Sequence, residues 1–403
     1  MDGPNGKKEP VMESERIDTL VLPIEPKAAR PPRLDRNGSV WAAAAKLGRY
    51  LMSGMTQGER EGLALPLLRA ISRTAGEECE PPAASVASAF ARRTKSRAHF
   101  LRAGEAWYVA SMSAFPASHC GTHVWLWSHE RNGRRGEVVT AFDIPTAIGA
   151  LAVTDESDVI DRVLSRNKYV AAPIRERFFS LAAERWTVEE NLAANRRYAS
   201  AHSAGVFEDK LSCDEAHRGA AASSLFARRF AHVEIDDSVD LGQFARLDRE
   251  AAELADKGWL PAIGTDNSIR FRLCGRHRAI GVYSPSLKAI AIDPRAPRSG
   301  AHEMAHAYDF EHGQLSAEPG FRPILDRQRA ALSGMDLTDS RLAYWSTPTE
   351  VFARAYELHL LSTGRASSMT NADMDALRAA DPSVVPLSGD MDAIDGYFGG
   401  LGL

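Results

Sequence analysis

The sequence predicts an α+β protein: a mixed, mostly helical N-terminal region, then a domain in which a small sheet with an edge strand leads into a helix carrying paired histidines and a further carboxylate-bearing helix. Three observations predict it. Apolar residues recur at helical spacing from Val40 to Phe230, interrupted by one group of strands. Three short alternating stretches follow one another between residues 269 and 292. Directly after them stands His302-Glu303-Met304-Ala305-His306, two histidines four apart with a glutamate behind the first.

In chain order, residues 1–38 are polar and proline-rich, with Pro26, Pro31 and Pro32 among charges, and are expected to be a disordered tail. Residues 39–228 form an expected accessory α+β region. Trp41 to Leu51 and a second segment through Leu63, Leu67 and Ile71 have helical apolar spacing. Trp107-Tyr108-Val109-Ala110 and Val124-Trp125-Leu126-Trp127 read as strands, and Glu137 to Phe142 pairs with the second across Asn132-Gly133, a strong hairpin signal. Val163, Phe178, Phe179, Leu181 and Trp186 are spaced for burial in helices, while Arg175, Arg177, Arg185, Arg196 and Arg197 interleave with acids as on solvated faces. His119-Cys120-Gly121-Thr122-His123 lacks a fourth ligand at a recognised spacing, and the basic tip at Arg131, Arg134 and Arg135 reads as a solvated turn. Asp240 to Lys257 is amphipathic and is expected to pack on the sheet of a second domain, residues 229–365. Residues 366–403, with Asp373, Asp375, Asp381, Asp390, Asp392 and Asp395, read as a loose acidic tail.

Composition bounds the function. The chain has 403 residues, 44% hydrophobic and 25% charged, enough for two or three domains with ample core. A net charge of −4 argues against nucleic acid and against an anionic membrane surface, and no run is long and apolar enough to span a bilayer. Cys79, Cys120, Cys213 and Cys274 are scattered, which fits a reducing compartment, and the first residues do not resemble a signal peptide. A cytoplasmic protein is expected, with export as an effector by a non-classical route left open.

On a helix, four residues advance about 400°, so His302 and His306 leave one face a turn apart. Two imidazoles so placed can share a Zn²⁺, and a glutamate beside them can act as general base. The strand before the helix, if it lies at a sheet edge, offers unpaired backbone groups to an extended peptide. A catalytic zinc usually has three protein ligands. Three residues compete for the third place. Asp309, seven after His302, returns to the same face within about 20°. His312 would serve in HExxHxxGxxH, with Met335 as a methionine turn, although Asp309 stands where that pattern has glycine. Glu350 opens a helix after Thr347-Pro348, yet Thr347-x-x-Glu350 is also a capping box that would occupy its carboxylate. Arg354, one turn on, can pair with Glu350 or Glu357.

His302-Glu303-x-x-His306-Ala307-x-Asp309, then a tyrosine, then Glu350-x-Phe352-Ala353-x-Ala355-Tyr356, resembles the catalytic domain of anthrax lethal factor-type metallopeptidases. It is similar also to zincin-like domains in large polyvalent proteins of phages and conjugative elements. The likeness covers residues 230–362 and says nothing of the first two hundred. It implies a zincin-like, gluzincin-type domain with His302, His306 and Glu350 as zinc ligands and Glu303 as catalytic base. Tyr344, with Tyr308 as its rival, would be the phenol that stabilises an oxyanion, and Asp309 would orient a histidine. The function so implied is a zinc-dependent metalloendopeptidase acting on a protein or peptide, as a bacterial effector, toxin or mobile-element protein. The alternative is a zincin-fold binding module that engages a host protein without cutting it, against which the intact Glu303 argues. Antirestriction or DNA processing by the N-terminal half rests on the mobile-element analogy alone.

Overall fold

The structure is a computed structural model. It describes residues 31–35, 37–63, 66, 67, 69, 77, 78, 98–103, 106–111, 113, 114, 122–128, 137–154, 159, 163, 172–201, 207, 213–274 and 279–403, with backbone alone between 77 and 143. The expected tail up to residue 30, the stretch around Cys120 and the arginine-bearing hairpin tip lie outside the described residues. The chain is mixed α+β, with small sheets and mostly helices. It divides into two compact units, residues 1–186 and 187–403.

In the first unit, Ser39 caps the helix Val40–Leu51 by accepting a hydrogen bond from the Ala42 N–H at 3.1 Å. That helix lies against the helix Ile144–Val153 almost backbone to backbone. A Cβ added at Gly48 would sit 1.6 Å from the Pro145 carbonyl oxygen, and one at Gly149 would sit 1.9 Å from that of Ala44. Leu47, Leu67, Ile148 and Phe178 are buried around this crossing. Leu34 packs on it too, so the expected loose N-terminal segment is anchored before residue 38. The strands are β1 (Glu77–Glu78), β2 (Ala98–Ala103), β3 (Ala106–Ser111), β4 (Ser113–Ala114), β5 (Thr122–Ser128) and β6 (Glu137–Asp143). They form two antiparallel sheets, β1-β2-β3 and β4-β5-β6, and β5 pairs with β6 as the Asn-Gly signal implied.

The second unit is built on a four-stranded sheet ordered β7-β8-β10-β9, from His232–Ile235, Ser268–Phe271, Ala289–Ile292 and Gly281–Ser284 respectively. β7, β8 and β10 run parallel, and β9 is the antiparallel edge. The helix Leu241–Asp256, capped by Asp240, lays Phe244, Leu247, Ala251 and Leu254 on one face of this sheet, as its amphipathic pattern predicts. The helix Gly300–Glu311, which carries the histidine pair, has apolar contacts on two sides. Met304 and Ala307 join the sheet core, while Ala301, Ala305 and Tyr308 pack on the helix Pro348–Ser362. Alanines at the crossing let the two helices approach closely.

The domain limits differ from the expected ones at both ends. The second unit begins at Thr187 rather than 229, taking in the later part of the long helix Ala172–Ala201. The segment 366–403 is not loose. It forms the helices Met374–Ala380, Val384–Leu387 and Met391–Gly400, which bury Leu377, Val384, Leu387, Ile394 and Phe398 against the helix Pro348–Ser362. Several acids of this segment serve the fold: Asp373 caps its helix, and Asp381 pairs with Arg354. No helix among the described residues is long and apolar enough to cross a membrane.

Candidate metal centre

A helix embedded on two sides has little reason to carry histidines and glutamate unless they are paired or hold something. His302, His306 and Glu350 converge, with one ligand atom of each within 4.8 Å of the others. The Nε2 atoms of His302 and His306 are 3.1 Å apart, and Glu350 reaches them at 3.8 and 3.5 Å. His306 and Glu350 are fully buried.

Around them a second layer fixes each side chain. The Nδ1 of His302 lies 3.1 Å from the Glu357 carboxylate, and that of His306 lies 2.8 Å from the Thr349 hydroxyl. Asp309 touches neither ring directly. Its Oδ1 accepts the Ser316 N–H at 2.7 Å. Arg354 bridges Glu350 at 2.8 Å and Asp381 at 2.7 Å rather than pairing with Glu357.

The capping box that competed for Glu350 does not form. The Thr347 hydroxyl donates to the Ala343 carbonyl and gives no side-chain cap. His312 ends the motif helix, bonded at Nδ1 to the Tyr308 carbonyl and stacked on the Tyr308 ring, and is not in the cluster. Met335 is exposed beyond the end of the helix Arg322–Ser333. Tyr308 is thereby engaged away from the cluster. Tyr344 instead stands beside it, with the Arg354 guanidinium 5.3 Å from its ring centre.

The electrostatics show what the cluster lacks. Burial disfavours a charged His302, but the hydrogen bond and charge of Glu357, with Glu350 and Glu303, push its pKa up to about 9. Burial takes His306 down to about 4. Two Nε2 lone pairs 3.1 Å apart repel unless a cation lies between them. Burial works against an ionised Glu350, yet Arg354 and the histidines hold its pKa well below the usual range. Both oxygens of that ionised carboxylate are buried without a well-aligned hydrogen-bond donor. Buried acceptors of this kind are rare unless a cation completes them. The residues present therefore fit a metal ion.

Glu303 is buried beside this group, and burial raises its pKa to about 8, with His302 opposing and Glu350 and Glu357 adding to the rise. The backbone N–H of Tyr283, on β9, lies close enough to oppose that rise. Gly281 on the same strand makes room: a Cβ there would lie 2.9 Å from Glu303 Oε1 and 2.5 Å from Ser299 Oγ. The edge strand and the motif glutamate are thus fitted to each other.

Comparison with family models, with curated proteins and with solved structures returned no match.

Thr349 and three residues of the long helix, Asn191, Asn195 and Tyr198, were not singled out from the sequence, while Glu357 was named only as a partner for Arg354 and Asp381 only among the acids of the C-terminal segment. Glu357 lies one turn beyond Arg354 and two beyond Glu350, a spacing that marks one helix face. The long-helix residues carry no local signal, because their partners lie more than a hundred positions away.

Proposed function

We propose that the chain is a zinc-dependent metalloendopeptidase whose second unit is a zincin-like catalytic domain of the gluzincin type, with His302, His306 and Glu350 as the zinc ligands. One observation carries this proposal. Two imidazole nitrogens and a buried carboxylate paired only with Arg354 converge on one point, beside a buried glutamate packed against the edge strand. Bound there, zinc would supply Lewis acidity. The protein's own groups divide the remaining work. Glu357 and Thr349 fix the histidine rings, and Arg354 fixes Glu350. The Glu303 carboxylate takes a proton from the attacking water and delivers it to the leaving amine. The Tyr344 phenol donates to the developing oxyanion. The outer edge of β9, pointing away from β10, offers its backbone groups to an extended substrate chain.

The test is Glu303→Ala in the full chain, assayed on an unstructured protein substrate with zinc measured in the same sample. Hydrolysis is expected to vanish while about one zinc per chain remains. A variant that kept its cleavage rate would end the proposal.

A further inference from the structure

The Tyr198 hydroxyl lies 3.3 Å from His306 Nε2, the atom that also faces His302. Its ring lies 5.3 Å from that of His306 and stacks on Tyr344 at 6.4 Å and 19°. Nothing about the residue is loose. It is 8% exposed, and the face of the long helix that bears it is pinned at two further points. Asn195 accepts the Thr349 N–H at 3.0 Å and donates to Ser316 Oγ at 2.9 Å, while Asn191 accepts from Arg329 at 2.9 Å. The spacing 191, 195, 198 is one helix face, and all three residues meet elements that carry or brace the metal cluster.

The distances have a simple meaning. In a tetrahedral zinc site with donors about 2.0–2.1 Å from the ion, any two donors lie about 3.3 Å apart. The three pairs among His302, His306 and Glu350, at 3.1, 3.5 and 3.8 Å, lie around this value, and the Tyr198–His306 pair, at 3.3 Å, falls on it. Resting on the metal site proposed above, we propose that Tyr198 is a fourth donor to the metal in the resting protein, its phenol oxygen closing the coordination sphere. An ion entering takes the His306 lone pair that the phenol now faces, and the phenol, held by the stack and the pinned helix, turns its oxygen to the ion. The metal replaces the phenolic proton, which leaves to solvent, and no electron is transferred. A catalytic zinc site ordinarily keeps that place open, so in a protein closed in this way the substrate must displace the phenol before reaction.

Copper(II) tests this, because a coordinated phenolate gives a visible charge-transfer band and imidazole or carboxylate does not. The full chain is loaded with Cu²⁺, and bound copper is counted beside the spectrum. Wild type is expected to bind one copper and show the band, Tyr198→Phe to bind copper and lose it, and Tyr344→Phe to keep it. Tyr198→Phe preserves the ring and the stack, and its melting temperature reports whether the fold is intact. Zinc transfer to a chelator should be at least about tenfold faster in Tyr198→Phe than in wild type. A copper-loaded wild type without the band, or a band that survives Tyr198→Phe or disappears in Tyr344→Phe, overturns the assignment of Tyr198 and leaves the metal site standing. Failure of wild type to bind either metal overturns the metal site, and this assignment with it.

Discussion

Two clusters of buried charge in the second unit look alike in composition and differ in balance. On the sheet, Glu234 and Asp236 face Arg270 and Arg272, with the Arg272–Glu234 contact at 2.8 Å. Two carboxylates meet two guanidiniums, so the formal charges balance. At the candidate metal centre, Glu303, Glu350, Glu357 and Asp381 gather with a single guanidinium, that of Arg354, which pairs with Glu350 and Asp381, and with two imidazoles. The first cluster is balanced in formal charge. The second is short of positive charge, and its shortage is concentrated where three Lewis bases converge.

If that difference is real, adding or removing metal should move only one of the two clusters. Near-stoichiometric zinc is expected in wild type and near-zero zinc in His306→Ala and Glu350→Ala, with His312→Ala indistinguishable from wild type. Zinc at a thousand times its dissociation constant stabilises the folded state by about 4 kcal/mol, a rise in melting temperature that those two variants should not show. Elemental analysis and thermal melts with and without chelator check both. Zinc lost through His312→Ala and kept in Glu350→Ala would mean that the cluster has been misidentified.

Arg354 sharpens the comparison. Breaking a buried pair by removing one partner costs about 3–5 kcal/mol, because a buried charge is left uncompensated. Arg354→Met should therefore lower the stability of the metal-free protein by that amount in a denaturant titration, and zinc should restore part of it by supplying charge to Glu350. Arg272→Met, in the balanced cluster, should also destabilise, but zinc should restore nothing. Equal rescue of both variants, or of neither, would erase the distinction.

Much of the centre was legible in the sequence because it is local. His302, Glu303 and His306 obey a helical spacing that needs no tertiary knowledge. Glu350 was legible only in part, since Thr347-x-x-Glu350 is a capping box by sequence, and only the Thr347 hydroxyl turning back to Ala343 frees the carboxylate. The strands β8, β9 and β10 and the helix after Asp240 declare themselves by alternation and amphipathic spacing. Tyr198 and Asn195 could not be read, because a contact across more than a hundred residues leaves no mark on neighbouring positions. The C-terminal segment was misjudged for another reason. Its aspartates suggested solvent, yet Asp373 is a helix cap, and the apolar series Leu377, Val384, Leu387, Ile394 and Phe398 was a core signal.

The histidine partners give a smaller effect. Glu357→Gln keeps the shape of the group that holds the His302 Nδ1–H but removes its charge. Loss of such an outer partner weakens metal binding by about 10–100-fold. A competition assay against a chelator should show zinc held less tightly, with one zinc per chain still bound when the metal is in excess. Unchanged affinity would mean that His302 is oriented by the helix alone.

The finest test lies where the edge strand meets the motif glutamate. A methyl group at Gly281 would stand 2.5 Å from Ser299 Oγ and 2.9 Å from both Cγ and Oε1 of Glu303, so Gly281→Ala must displace one of them. Crowding of this kind costs about 1–3 kcal/mol. Ser299 is held by the Ile280 carbonyl at 3.1 Å on the same strand turn, so the Glu303 side chain is the freer of the two to move. The ligands lie outside this contact. Gly281→Ala should thus keep its zinc and most of its stability while cleaving peptide more slowly. Lost zinc would show that the strand braces the metal. A wild-type cleavage rate would show that Glu303 works from a position the edge strand does not set.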